Sequence, residues 1–249
     1  MELLRVNNLR KVFAKNKVVA IGGVDFSIAK GEILGLVGES GCGKTTLSKV
    51  ILRLSESDSG SVFYRDRDIL KVSNNEMMDL RKHMQIIFQD PYSSLDPRVK
   101  ISGVIDEVYD IHYNYSREEK RRKEIELLDS VGLGESYLNR LPSQLSGGER
   151  QRVGIARALA TEPEFIICDE PVSSLDLSVQ AQILNLLLKL QKEKNLTYLF
   201  ISHDLNVTGS LCDRVIVMKE GKFVETGTSQ EIFQNPKNEY TKVLLKSIK

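Results

Sequence analysis

No segment of this 249-residue chain approaches the ~18 uninterrupted apolar residues that a bilayer-spanning helix needs, so no membrane anchor is expected. No sign of charge predominates: 35 Lys and Arg stand against 34 Asp and Glu, and no basic run is long enough to form a nucleic-acid footprint. Nucleic acid is therefore not an expected partner. Cysteine is scarce. Cys42, Cys168 and Cys212 are odd in number, far apart and out of metal-binding register with the histidines, so reduced thiols are expected, with neither disulfide nor structural zinc. Met1 to Arg5 gives way at once to polar Asn7 and Asn8, so no secretory leader is expected and the cytoplasm is the expected compartment. Internal repeats and low-complexity segments are also missing. What is present is 41% hydrophobic residues over a length that suits one large or two small domains, enough for a substantial core.

The most informative stretch is Gly38-Glu39-Ser40-Gly41-Cys42-Gly43-Lys44-Thr45, which fits the G-x-x-x-x-G-K-[ST] phosphate-binding template. It follows Ile33 to Val37, an apolar run that reads as a buried strand, and precedes a helix-like run over Lys44 to Leu54. Glycines at 38, 41 and 43 let the backbone turn successive N–H groups inward, and the helix start adds its partial positive charge. Lys44 supplies a full charge for outer phosphates, and the Thr45 hydroxyl is suited to magnesium.

Residues 3 to 9 and 18 to 28 alternate in part, split by Gly22-Gly23 and ended by Lys30-Gly31, which predicts an N-terminal antiparallel hairpin. Strands are expected at Ser61 to Tyr64 and Gln85 to Phe88. From Asp90 to about Ala160 β-like runs vanish; Ser116-Arg117-Glu118-Glu119 is a capping box leading into Ile125, Leu128 and Val131 on one helix face. Strands then return at Phe165 to Asp169, Thr197 to Ile201 and Arg214 to Met218, separated by a helix carrying Val179, Ile183, Leu186, Leu187 and Leu190. Residues from Ile232 onward read as a short amphipathic tail. The whole predicts an α/β core with a mostly parallel sheet, an N-terminal antiparallel subdomain and a helical insertion.

Two further features bear on the reaction. Asp169 ends an apolar strand where it could orient magnesium, and Glu170 beside it could polarise an attacking water; alone, such a pair is equally a solvated turn. Leu145-Ser146-Gly147-Gly148-Glu149 opens a helix through Val153 and Ala156 and offers a second anion nest, with a hydroxyl, two glycine N–H groups and a helix start. Alone, it is equally a structural helix start. Two phosphate-facing helix ends in one chain suggest two nucleotides shared across a dimer, an arrangement for which a phosphate-loop kinase has no use.

The phosphate loop, Gln89, Leu145 to Glu149, Asp169-Glu170 and His203, in that order over about residues 1 to 230, resemble the Walker A, Q-loop, signature, Walker B and switch histidine of ABC-type ATPases. The resemblance implies one cassette over 1–249, with a RecA-like core and N-terminal β subdomain in 1–89 and 161–249 and a helical signature subdomain in 90–160. It implies ATP and Mg²⁺, with the triphosphate at Gly38 to Thr45 and Thr46, adenine stacked on Phe13, and magnesium near Thr45, Gln89 and, through water, Asp169. It implies Glu170 as general base, Gln89 and His203 positioning the water, Lys44 stabilising transferred charge, the signature acting in trans on the partner's ATP, and Asp176 of Ser173 to Asp176 crossing the dimer seam. From the residues alone, Asp176 is also a helix N-cap, Phe13 a core side chain and His203 a structural histidine. Glu149 stands where the family more commonly has Gln.

Gln89 to Arg98 and the tail from Glu231 to Pro236 and on to Tyr240-Thr241-Lys242 are similar to ATPases of peptide and nickel importers. Asn238-Glu239 replaces the commoner His-Pro. This resemblance implies a paralogous ATPase partner, more often a heterodimer than a homodimer, beneath two integral-membrane permeases fed by an extracytoplasmic binding protein. It places the chain peripherally at the cytoplasmic membrane face. The chain stops at Lys249, short of the cysteine-bearing extension of some members, so no iron–sulfur cluster is expected. The alternative from another class is a soluble ABC ATPase uncoupled from transport, such as a metal-cluster assembly ATPase.

Overall fold

Ile33–Val37 (β3), five consecutive buried residues, has the apolar continuity of a strand covered on both faces, and it is paired on both edges. The computed structural model describes residues 1–13, 17–90 and 95–246. The chain divides into two compact units, residues 1–81 with 195–249 and residues 82–194.

In the first unit, β3 runs parallel to Thr197–Ser202 (β8) on one side and Arg214–Lys219 (β9) on the other, and Lys222–Thr228 (β10) continues the order antiparallel to β9. The turn between β9 and β10 uses Glu220 and Gly221, both at positive φ, the pattern whose twist suits a tight hairpin. Glu2–Phe13 (β1) pairs antiparallel with Val18–Ala29 (β2) and with Ser59–Tyr64 (β4), and the two-residue Arg67–Asp68 (β5) extends this second sheet. The predicted hairpin is present, but Gly22-Gly23 does not split β2: the register passes from Leu9 opposite Val24 to Arg10 opposite Gly22, so Gly23 is absorbed as a bulge.

Lys44–Ile51 (α1) follows the phosphate loop and stops three residues before Leu54. Arg53 takes a left-handed φ of 53°, and the Arg53 and Leu54 N–H groups donate to Val50 and Lys49 carbonyls, a Schellman ending. Asn74–Arg81 (α2) completes the N-terminal part of this unit.

The second unit holds Met84–Ile87 (β6), which ends one residue short of Phe88 and pairs in parallel with Phe165–Asp169 (β7). No strand lies between them among the described residues. Instead come Ile101–His112 (α3), Arg117–Ser130 (α4), two 3₁₀ turns, Gly147–Leu159 (α5) and, after β7, Leu177–Lys194 (α6). Ser116 caps α4 as expected: its Oγ accepts from Glu119 N–H while Glu119 Oε2 accepts from Ser116 N–H. On α4, Leu128 is buried, as is Val131 just beyond its end, whereas Ile125 is half-buried and Glu124, an acid, is only 4% exposed.

In the first unit, Leu205–Leu211 (α7) follows β8. The tail is two helices, Ser229–Gln234 (α8) and Glu239–Lys246 (α9), split at Asn235-Pro236, because proline cannot continue a hydrogen-bonded turn. Ile232 and Thr241 are buried, while Val243 is 63% exposed. Residues 91–94 of the importer-like segment and 247–249 of the tail lie outside the described residues.

Candidate functional site

In the first unit the phosphate loop leaves the C-terminal end of β3, the edge at which open α/β sheets bind ligands. Gly43 has φ 116°, and a Cβ there would sit 2.1 Å from the Ala20 carbonyl oxygen, so only glycine lets the loop approach β2. Cys42 O accepts from Gly221 N–H at 2.9 Å, tying the loop to the β9–β10 turn. Burial raises the Cys42 thiol pKa, partly opposed by the Lys44 charge, so the thiol stays protonated.

Lys44 is 4% exposed, and its Nζ donates to the carbonyls of Gly38 at 2.8 Å and Glu39 at 2.9 Å. A buried ammonium needs acceptors, and here its own loop provides them. Glu39, Ser40, Gly41 and Thr45 are exposed and Thr46 is half-buried.

Val37 pairs with Ser202, so Gly38 and His203 leave neighbouring strand ends. His203 is exposed and is followed by Asp204, whose carboxylate accepts from Asn206 and Val207 N–H and caps α7. Phe13, at the far end of β1, is 45% exposed with Lys11 Nζ 5.8 Å from its ring centroid, so the core-phenylalanine alternative does not hold.

In the second unit, Ile87 pairs with Cys168, so Gln89 and Glu170 also leave adjacent parallel strands. Gln89 Nε2 donates to Glu170 Oε2 at 3.1 Å. Glu170 has φ 50°, a left-handed conformation costing a non-glycine residue roughly 1–2 kcal/mol, and its carbonyl accepts from Ser173 N–H and Oγ. Asp169, last in β7, is 4% exposed.

The signature stretch is a capped helix start. Ser146 Oγ accepts from Glu149 N–H at 3.3 Å, Glu149 Oε2 accepts from Ser146 N–H at 2.7 Å, and Tyr137 Oη donates to Glu149 Oε1 at 2.5 Å. The expectation that Ser146 and both glycines simply present polar groups is thus refined: the serine oxygen is an N-cap whose hydroxyl proton remains to donate, and Gly148 is buried. A Cβ on Gly148 would lie 2.5 Å from Val179 Cγ1, and one on Gly147 3.2 Å from Leu175, so this stretch packs on the segment containing Asp176. Leu145 is buried beside it. Asp176 Oδ1 accepts from Ser178 Oγ and Val179 N–H, which lowers its pKa and caps α6. The cap reading of Asp176 is therefore realised.

Thr45 in the first unit carries a hydroxyl, and Gln89 and Asp169 in the second carry a carboxamide and a carboxylate, each an oxygen donor of the kind Mg²⁺ takes. Among the described residues no group of three or more His, Cys, Asp or Glu is placed to hold a metal ion. Sequence reasoning missed the bond from Tyr137 to Glu149 and the contact of Tyr240 with the loop; neither has a local signal, because both are tertiary contacts.

Residues 21–173 match a family model described as ABC transporter. The oligopeptide transport ATP-binding protein OppF of Bacillus subtilis is 47% identical over 251 residues, covering 99% of this chain and 82% of that protein. The dipeptide transport ATP-binding protein DppF of Haemophilus influenzae is 44% identical over 235 residues, covering 94% and 72%. Among solved structures, the ATP-binding cassette MJ0796, described as a dimeric post-hydrolysis state bound to ADP and Pi, superposes with a TM-score of 0.81 at 30% identity, covering 91% of this chain and 99% of that one.

Proposed function

The chain belongs to the ABC transporter family of ATP-binding subunits and is an ATPase, and from that premise we propose that it energises import of short peptides through integral-membrane permeases. The observation that carries the reading is the presence in one chain of two glycine-bearing helix starts, the loop at 38–45 and the capped signature at 145–149, which we take as the two halves of an anion site. Peptides are chosen over nickel because the relatives described above are oligopeptide and dipeptide transport proteins.

In this proposal the loop N–H groups receive the phosphates of ATP and Lys44 exchanges its loop carbonyls for the outer phosphates. Adenine lies on the exposed ring of Phe13. Thr45, Gln89 and, through water, Asp169 would hold Mg²⁺, which would supply positive charge to the phosphoryl oxygens. Glu170 takes the proton of the attacking water, Gln89 fixes that carboxylate, and His203 holds the water in line with the γ-phosphate. Ser146, Gly147 and Gly148 of a second subunit cover the nucleotide, Asp176 lies at the seam, and binding energy closes the pair. Glu149 keeps the signature helix start in shape.

We place the second ATPase as a paralogue, the permeases as two in number, and an extracytoplasmic binding protein upstream of them. The chain sits peripherally on the cytoplasmic face; no helix among the described residues is long and apolar enough to cross a membrane. We propose, too, that residues 90–160 act as the helical subdomain of one cassette whose core is 1–89 with 161–249.

Glu170→Gln tests the chemistry. It is expected to lower phosphate release at least about 100-fold, the usual worth of a general base, while ATP and Mg²⁺ still drive the chain and its paralogous partner into a dimer on size exclusion. Undiminished turnover overturns the assignment. Loss of peptide uptake on deleting the gene, with nickel uptake intact, tests the cargo; the reverse pattern rejects it.

A further inference from the structure

The C-terminal helix reaches the phosphate loop. Tyr240, in the first turn of α9, accepts a hydrogen bond on its phenolic oxygen from the backbone N–H of Glu39, at 3.4 Å. Glu39 is the second residue of the loop, and its carbonyl is already engaged by Lys44 Nζ at 2.9 Å and by Cys42 N–H at 3.3 Å. Both backbone polar groups of this loop residue are therefore engaged, one from inside the loop and the other from a helix some 200 residues along the chain.

The phenol is itself held. Lys219 Nζ, at the end of β9, lies 4.8 Å from the Tyr240 ring centroid. The turn that enters α9 is tied to β10: Glu225 accepts from Lys237 N–H at 2.7 Å and Asn238 N–H at 3.1 Å, and Asn238 Nδ2 donates to Val224 O at 3.2 Å. Asn238 Oδ1 in turn accepts from Tyr240 N–H at 2.9 Å. These bonds set where the ring can point. The same Asn238 stands in place of the commoner histidine of importer-type tails, and here it serves as the hinge pin of the contact.

We propose that Tyr240 is a positioning residue for nucleotide binding, a latch by which the C-terminal helix holds the mouth of the phosphate loop in its receiving shape. The proposal rests on the nucleotide-binding reading above. When Lys44 turns from the loop carbonyls toward phosphate, Glu39 loses one internal tether; the bond from Cys42 N–H to its carbonyl remains inside the loop, and the bond from its own N–H to Tyr240 is the one that ties it to the rest of the fold. A loop already ordered gives up less conformational freedom on binding, so the latch raises affinity. The tail thereby becomes a lever on ATP affinity: any partner that draws α9 away loosens the loop.

Tyr240→Phe removes only the phenolic oxygen and keeps the ring on Lys219. In the full chain, titrated with fluorescent mant-ATP and Mg²⁺, it is expected to weaken binding about three- to tenfold, the worth of one hydrogen bond. Hydrogen exchange in the nucleotide-free chain is expected to quicken in the peptide containing Glu39, with α9 itself unchanged, an outcome general destabilisation would not give. Lys44→Ala separates the two readings. If the wild-type chain binds mant-ATP no better than Lys44→Ala, the nucleotide site itself fails; if it binds well and Tyr240→Phe changes neither affinity nor exchange at Glu39, the latch alone is overturned. Equal weakening accompanied by faster exchange throughout α9 also overturns it, because the residue would then be merely structural.

Discussion

Glu149 shows how one side chain can serve the signature helix without touching a nucleotide. Its two carboxylate oxygens accept from Ser146 N–H and Tyr137 Oη, and these bonds hold its pKa below the ordinary value. Glu149→Ala removes both acceptors and is expected to cost about 1 kcal/mol in a denaturant titration. Glu149→Gln keeps an acceptor and gives up mainly the favourable charge at a helix N-terminus, about 0.3–1 kcal/mol. The sign of the pH effect follows from the depressed pKa. The charge stabilises the fold above the unfolded-state value near 4.5 and that stability is lost as pH falls through the lower folded value, so wild type and Glu149→Gln should converge in acid. A Glu149→Gln variant less stable by the same margin at every pH would contradict this. The glutamate could be read from the sequence as half of a capping box with Ser146; its bond to Tyr137 could not, since no spacing rule joins those two positions.

Among elements, α4 departs most from its sequence pattern. The apolar positions Ile125, Leu128 and Val131 suggest a face of ordinary type, yet Glu124 is the more deeply buried neighbour of Ile125. Desolvation raises the Glu124 carboxyl to about 7, helped by a hydrogen bond and repulsion from Asp106, and Arg121 at 3.5 Å only partly offsets this. An acid with a raised folded pKa contributes stability that is present below its unfolded value near 4.5 and fades as pH rises through about 7. The neutral isostere Glu124→Gln should therefore gain on the wild type as pH rises from 5 toward 8 in thermal unfolding (from about 4.5 to about 7 on the pKa values). A constant difference over that range would show that the carboxyl is not neutral in the fold. Element boundaries elsewhere follow local chemistry that sequence reasoning half saw: the capping box at Ser116 was legible, whereas the end of α1 at Ile51 depended on Arg53 adopting a conformation that glycine usually supplies.

For the whole molecule, ligand binding and folding are one equilibrium. ATP with Mg²⁺ at a hundred times its dissociation constant should stabilise the folded chain by about 2.7 kcal/mol, which for a chain of this size raises the unfolding temperature by roughly 5–10 °C. Chelating the metal should abolish hydrolysis and shrink that shift; an undiminished shift would mean that the metal adds nothing to binding. By itself the sequence determined the α/β class, most of the strands along the chain though neither β5 nor β10, the phosphate loop and the signature stretch, because each is written in consecutive residues: apolar runs, glycines and capping pairs act over one turn of chain. Only the tertiary structure decided that Lys44 rests on its own loop, that Gln89 meets Glu170, that Phe13 is exposed, and that Tyr240 reaches Glu39. Those facts depend on which strand ends lie side by side and which helix packs on which turn, and chain neighbours carry no record of either.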